Sequence, residues 1–292
     1  VVAGDFSSSK GRLRAGAQLL MIAANPINRK ILREVLERPL EMAPGRHYRI
    51  GPGGREMLFV AFVVERWLQN APQGPVPFEC QEAEGAVASL AKSWSATAVH
   101  ALAREPLTFP ELHAMVPGLS RRALERHLEA MQGAGQVASL PDGAGGAIYA
   151  LTDWMRAGIA PLIASARLER RSPMDGMTPI DALDVEAGFR LSLPLLELPK
   201  ELSGSCRLGL NLAEDESSIL TGVTAHIEQG RVISCAAGLE KKADAWAAAS
   251  AGDWLDTVIE PEAKRVRTGG DRWLADAVLV ALNKTLFGVP VT

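Results

Sequence analysis

Three cysteines in 292 residues, Cys80, Cys206 and Cys235, are odd in number and far apart, which excludes a disulfide framework. That usage predicts a reducing, cytoplasmic setting. Long apolar runs are lacking too. The most conspicuous, Met57–Val64, is less than half of the roughly 18–20 residues a membrane span needs, so no membrane partner is expected. The first residues carry no signal-peptide h-region, and Ser7-Ser8-Ser9-Lys10 reads as a polar lead-in. Catalytic signatures are equally missing. The five histidines, His47, His100, His113, His127 and His226, form neither an H-E-x-x-H pair nor a Cys/His zinc spacing, so no metal is expected. Gly51-Pro52-Gly53-Gly54 is followed by no Gly-Lys-Ser/Thr, so it is not a phosphate loop. Gly143-Ala144-Gly145-Gly146 precedes a strand and opens no helix, which argues against a dinucleotide site. There is no G-x-S-x-G elbow, and the pair Asp215-Glu216 sits in a polar loop, Ala213–Ser218, where solvation is the default. No enzyme, catalytic residue or cofactor is therefore expected.

The length implies two or three domains. Charge divides unevenly between them. Residues 1–171 contain 20 Lys/Arg against 16 Asp/Glu, or +4, whereas residues 172–292 contain 11 against 18, or −7, consistent with the net −3. A mildly basic first part and an acidic second part fit a chain in which only the former meets nucleic acid.

The basic part contains an internal repeat. Asn28–Leu40 matches Thr97–Leu107, each an amphipathic helix punctuated by a proline, Pro39 or Pro106. Downstream, His47–Leu68 matches Ile148–Leu168: a strand with Tyr48 or Tyr149, an arginine seven residues on (Arg55 or Arg156), then a long apolar-faced helix. The offsets differ, 67 residues between the prolines and 101 between the tyrosines. The first copy therefore lacks 34 residues that in the second carry two helices and most of a hairpin, and the gap falls near Ala43–Pro44. Pro72–Pro77 and Ser172–Pro179 read as linkers.

In the second copy, Lys92–Ala103 reads as a helix and Thr108–Val116 as another, with Thr108 and Glu111 forming a capping box. Pro117-Gly118 turns the chain, and Ser120 caps a third helix, Arg121–Gln132, buried along Leu124, Leu128 and Met131. Gln136–Leu140 and Ala147–Leu151 then flank a glycine-rich tip. A helix-turn-helix lays its second helix in the major groove. The stretches Phe109-Pro110-Glu111-Leu112, Pro117 to Leu124, Gly135-Gln136-Val137 and Tyr149-Ala150-Leu151-Thr152 resemble the winged-helix pattern of HxlR-type regulators. That resemblance implies a partner, double-stranded DNA, read by a helix carrying Ser120, Arg121, Arg122, Arg126 and His127. The hairpin departs from the family in carrying Ser139, Pro141 and Asp142 where basic residues are usual.

After Pro179 the apolar period changes. Phe189–Leu195 and Leu208–Leu212 alternate as strands, and Thr221–Ile227 and Arg231–Ala236 flank a turn at Glu228-Gln229-Gly230. Helices are expected at Lys241–Ser250, Asp253–Val258 and Asp271–Phe287. The stretches Ala243-Asp244-Ala245-Trp246, Asp253-Trp254-Leu255, Gly269-Gly270-Asp271 and Leu286-Phe287-Gly288 resemble sterol carrier proteins. The resemblance implies an apolar cavity for a hydrophobic or polycyclic small molecule, lined by Trp246, Trp254 and Trp273.

The expected fold is thus multidomain, with two mostly-α winged-helix units, residues 1–71 and 78–171, and an α+β domain, residues 179–292, whose antiparallel sheet is covered by helices. The expected function is a ligand-responsive transcription regulator that acts as a homodimer or as an intramolecular pseudo-dimer. The alternative is a carrier that sequesters the small molecule and uses the winged helices as scaffold.

Overall fold

The computed structural model describes residues 52–91, 93–116, 118–141, 146–171, 182–211, 219–238, 242–261 and 265–288. The helix expected at Asn28–Leu40, the junction at Ala43–Pro44, the linker Ser172–Pro179 and the tip of the hairpin lie outside these residues. The described chain is a mixed helix-and-strand fold with two open sheets. Among the described residues no helix is long and apolar enough to cross a membrane.

Helix α1 (Pro52–Gln69) leads through a turn to α2 (Gln81–Ala91) and α3 (Ser93–Arg104). A short strand β1 (Leu107–Thr108), α4 (Phe109–Met115), α5 (Arg121–Gly133) and the hairpin β2 (Val137–Pro141) and β3 (Ala147–Leu151) follow. Helices α3, α4 and α5 and the two hairpin strands end within a residue of their expected bounds, whereas α2 and β1 were not expected. Local chemistry sets them. Glu111 accepts from both the backbone N–H and the hydroxyl of Thr108 at 2.8 and 2.7 Å. Ser120 accepts from the Ala123 N–H, and Leu124, Leu128 and Met131 are the buried stripe of α5. β3 is the middle strand, between β1 and β2, with Tyr149 opposite both Leu107 and Ser139. The segment read as a linker, Pro72–Pro77, is packed against the end of α5. Gly135 sits at φ +69°, and a Cβ there would come within 2.4 Å of the Pro72 ring, so glycine is required twice over.

A short helix α6 (Asp153–Ala157) leads into α7 (Ile159–Arg171), and α7 packs along α1. The two long helices that the repeat makes equivalent are therefore direct neighbours. Trp67 and Trp154 stack at 5.0 Å, and each indole N–H donates to the other's carbonyl at 2.8 Å. Both buried donors are thereby satisfied, as buried indoles require.

Helix α8 (Ala182–Ser192), with a 3₁₀ turn at Leu193–Leu195, stands where a strand was expected. It touches α3, α6 and α7 on one side and strands of the second sheet on the other, so Ala187, Phe189, Arg190, Leu191, Ser192 and Leu193 are all buried. A helix buried all round shows no helical stripe. Its buried polar residues Arg190 and Ser192 are satisfied within the helix: Arg190 pairs with Glu186 at 3.0 Å, and the Ser192 hydroxyl donates to the Gly188 carbonyl at 2.8 Å. Arg156 donates to the Arg190 carbonyl in the last turn of α8, tying the two parts of the chain together.

The second sheet runs β6 (Arg231–Ala237), β5 (Ile219–Glu228), β4 (Gly204–Asn211), β7 (Ala245–Ala249), β8 (Arg267–Gly270). It corrects the all-antiparallel expectation, because β7 runs parallel to β4. Ala245–Ala249 falls within the helix expected at Lys241–Ser250, but the segment is a strand inserted between β4 and β8. Its alanines are buried, and tertiary pairing overrides propensity there. Helix α9 (Ala251–Ile259) and α10 (Arg272–Phe287) complete the fold as expected, capped by Ser250 and Asp271. One continuous core links both parts, from Val60 in α1 to Phe287 in α10. All three cysteines are free thiols. Burial pushes Cys206 up to about 12 and Cys235 up to about 11, so both stay protonated at neutral pH.

Candidate functional site

Helix α5 presents its charged surface to solvent. Arg122 and Arg126 are exposed one turn apart and share a face. Arg121 is differently held: it pairs with Glu125 at 3.3 Å and lies over the Phe109 ring at 5.2 Å. Phe109 in turn stacks on His113, whose Nε2 is 3.2 Å from the Leu119 carbonyl. The turn between α4 and α5 is thus braced by aromatic rings and by the Arg121 guanidinium. Glu129 is exposed a turn beyond Arg126, toward the C-terminal end of the helix. Ser120 contributes as the cap. Ser120→Ala is expected to lower the unfolding free energy by about 1 kcal/mol. Urea denaturation checks this, and a loss within 0.3 kcal/mol of zero would remove the cap from the account.

His127 does not join this face. Its side chain turns toward a cavity on the α2 side of α5. Burial, and then the nearby Arg126 charge, hold it below the ordinary imidazole range, so it is neutral at pH 7. In the hairpin, Ser139, Leu140 and Pro141 are exposed, and Leu140 is a large apolar side chain at 49% exposure.

The three tryptophans expected to share a cavity do not come together. Trp273, in the first turn of α10, is 57% exposed. Trp246 lies on the sheet face opposite Ala245 and Ala247, over Gly269, where a Cβ would sit 2.5 Å from the ring. Trp254 alone is enclosed. It donates to the Gly209 carbonyl at 2.8 Å and meets Phe189 edge to face at 4.8 Å. Beside it is an apolar crevice of about 70 Å³ where α7, α8, α9 and α10 meet, lined by Ile163, Val185, Phe189, Trp254 and Leu286. The crevice is about half the roughly 150 Å³ of a cavity that binds benzene, small for a polycyclic molecule.

A feature that the sequence did not disclose lies next to this crevice. Arg167, almost fully buried, is ion-paired to Asp256 at 3.3 Å, to Glu56 at 3.8 Å and, closer still, to Glu260. Arg171 adds bonds to Glu56 at 2.6 Å and Asp256 at 3.0 Å, and Arg265 closes on Asp256. Helices α1, α7 and α9 are thereby clasped by one charge network. Among the described residues no cluster of histidine, cysteine and carboxylate groups could hold a metal ion. The chain matches no protein-family model and no curated protein.

Proposed function

We propose that the protein is a DNA-binding transcription regulator, in which α3, α4, α5 and the β2–β3 hairpin form a winged helix that lays α5 in the major groove of double-stranded DNA. The observation that carries this reading is the free face of α5. Arg122 and Arg126 lie in its first two turns, the part of a recognition helix that reaches base edges, while Glu129 is left at the distal end. The hairpin follows α5 directly, where a wing would reach the flanking backbone. Contact between α1 and α7, the helices the repeat makes equivalent, supports a tandem pair of such units acting as an intramolecular pseudo-dimer.

The small-molecule side of the reading narrows to Trp254. An apolar ligand entering there wedges α7 away from α9 and α10, and so bears directly on the helix that leads back to the DNA-reading unit. At about 70 Å³ the Trp254 crevice weighs against a carrier whose cargo rests there. Fluorescence anisotropy at about 50 mM salt tests the main claim, with the duplex upstream of the protein's own gene and a scrambled duplex as control. At least tenfold preference for the upstream duplex is expected. Equal binding of the two, or none, overturns a sequence-reading role.

A further inference from the structure

A second cavity lies between the linker turn, α2, α5 and the start of β2. Its volume is about 460 Å³, within the range of about 300–1,000 Å³ typical of small-molecule sites and several times that of the Trp254 crevice. Its walls combine Val76, Met131 and Trp154 with the polar groups of Glu82, His127 and Gln136. The Trp154 indole N–H is already committed to the Trp67 carbonyl, so the ring offers the cavity aromatic carbon. Met131 adds a polarizable thioether. Gln136, though only 4% exposed, brings an amide to the wall, where it offers both a donor and an acceptor. Among the described residues neither lysine nor arginine lines the cavity. The one full charge among the described lining residues is the exposed Glu82. Hydrogen bonds from Cys80 and from its own backbone hold its carboxyl below the usual carboxylate range.

From this lining we propose that the cavity is a binding site for a drug-sized aromatic organic cation, its flat body against Trp154 and Met131 and its charge toward Glu82. An anion would meet a carboxylate, with no base among the described lining residues to compensate it. A flat cation gains the carboxylate together with the aromatic and thioether surface of Trp154 and Met131. The site stands independently of the DNA reading. It has a consequence for that reading because α5 supplies one wall through His127, Ala130 and Met131, so an occupant touches the helix that carries Arg122 and Arg126.

The test titrates the full chain with the cationic dye rhodamine 6G, followed by anisotropy, and with the anionic dye anilinonaphthalene sulfonate for comparison. Saturable one-to-one binding of the cation is expected, at least tenfold tighter than that of the anion. Two variants fill the cavity from α2. Gly85→Phe places a side chain where a Cβ meets nothing within 4 Å, and Ser89→Trp does so from the next turn. Each should weaken the cation at least tenfold while leaving the melting temperature near the parent's. Glu82→Gln, an exposed change that does not threaten the fold, should cost the cation about tenfold and leave the anion no weaker. Absence of cation binding overturns the proposal. So does binding that survives both filling variants, which would place the dye elsewhere, or binding indifferent to Glu82→Gln.

Discussion

Arg167→Ala is expected to lower the unfolding free energy by about 3 kcal/mol, the low end of the roughly 3–5 kcal/mol that follows when one partner of a buried ion pair is removed. The size follows from what stays behind. Asp256, with a side chain 11% exposed, keeps Arg171 and Arg265, and Glu56 keeps Arg171. Glu260 loses its partner but is 51% exposed, so water takes over part of its solvation. Arg171→Ala should cost less, about 1 kcal/mol, because that guanidinium is 37% exposed. Arg167→Met retains the packing of the stem but still leaves carboxylates short of a cation. Adding Asp256→Leu to it should therefore recover stability, since an apolar replacement of the pair is often neutral or better. Urea unfolding of the four variants measures the series. A loss below 1 kcal/mol for Arg167→Ala would show that the network contributes little to holding α1, α7 and α9 together.

What was legible in the sequence was whatever local chemistry decides. The Thr108–Glu111 cap, the Ser120 cap, the β5–β6 turn and the apolar stripe of α5 involve partners a few residues apart, and each is found where expected. Elements decided by distant neighbours were not legible. The alternation of Phe189, Leu191, Leu193 and Leu195 reads as a strand, yet burial of α8 from Phe189 to Ser192 removes the polar face that would have marked a helix. Alanines at 245–249 read as a helix because nothing nearby announces that β4 and β8 flank them.

The candidate sites divide in the same way. Arg122 and Arg126 are exposed on α5 as the pattern implies, because an amphipathic helix declares its free face. His127 lies on the flank of that helix, and its direction depended on α2, more than thirty residues away. The resemblance to sterol carrier proteins groups the three tryptophans, but strand alternation puts Trp246 on the far side of the sheet and the exposed first turn of α10 carries Trp273 into solvent. Arg167 and Glu260 are 93 residues apart, and each alone looks like any surface charge.

Replacing Arg122 and Arg126 together by alanine is expected to weaken binding to the upstream duplex by about 30-fold or more, taking about 1 kcal/mol or more for each arginine at a base edge or phosphate. The salt dependence separates this from loss of folding. Two phosphate-neutralising cations contribute about 1.8 to the slope of log K against log salt, so the plot for the double variant should be flatter by up to that amount. If both arginines read bases without touching phosphate, the affinity falls while the slope changes little, and discrimination against the scrambled duplex is what is lost. Thermal stability should be unchanged within about 0.5 kcal/mol, as both side chains are exposed. Glu125→Ala provides an opposite-signed control. It removes a negative charge from the reading face and releases Arg121 from its 3.3 Å pair, so binding should tighten several-fold. Should the double variant bind with the parent's affinity and slope, α5 is not the helix that meets DNA, and the winged-helix arrangement serves another contact.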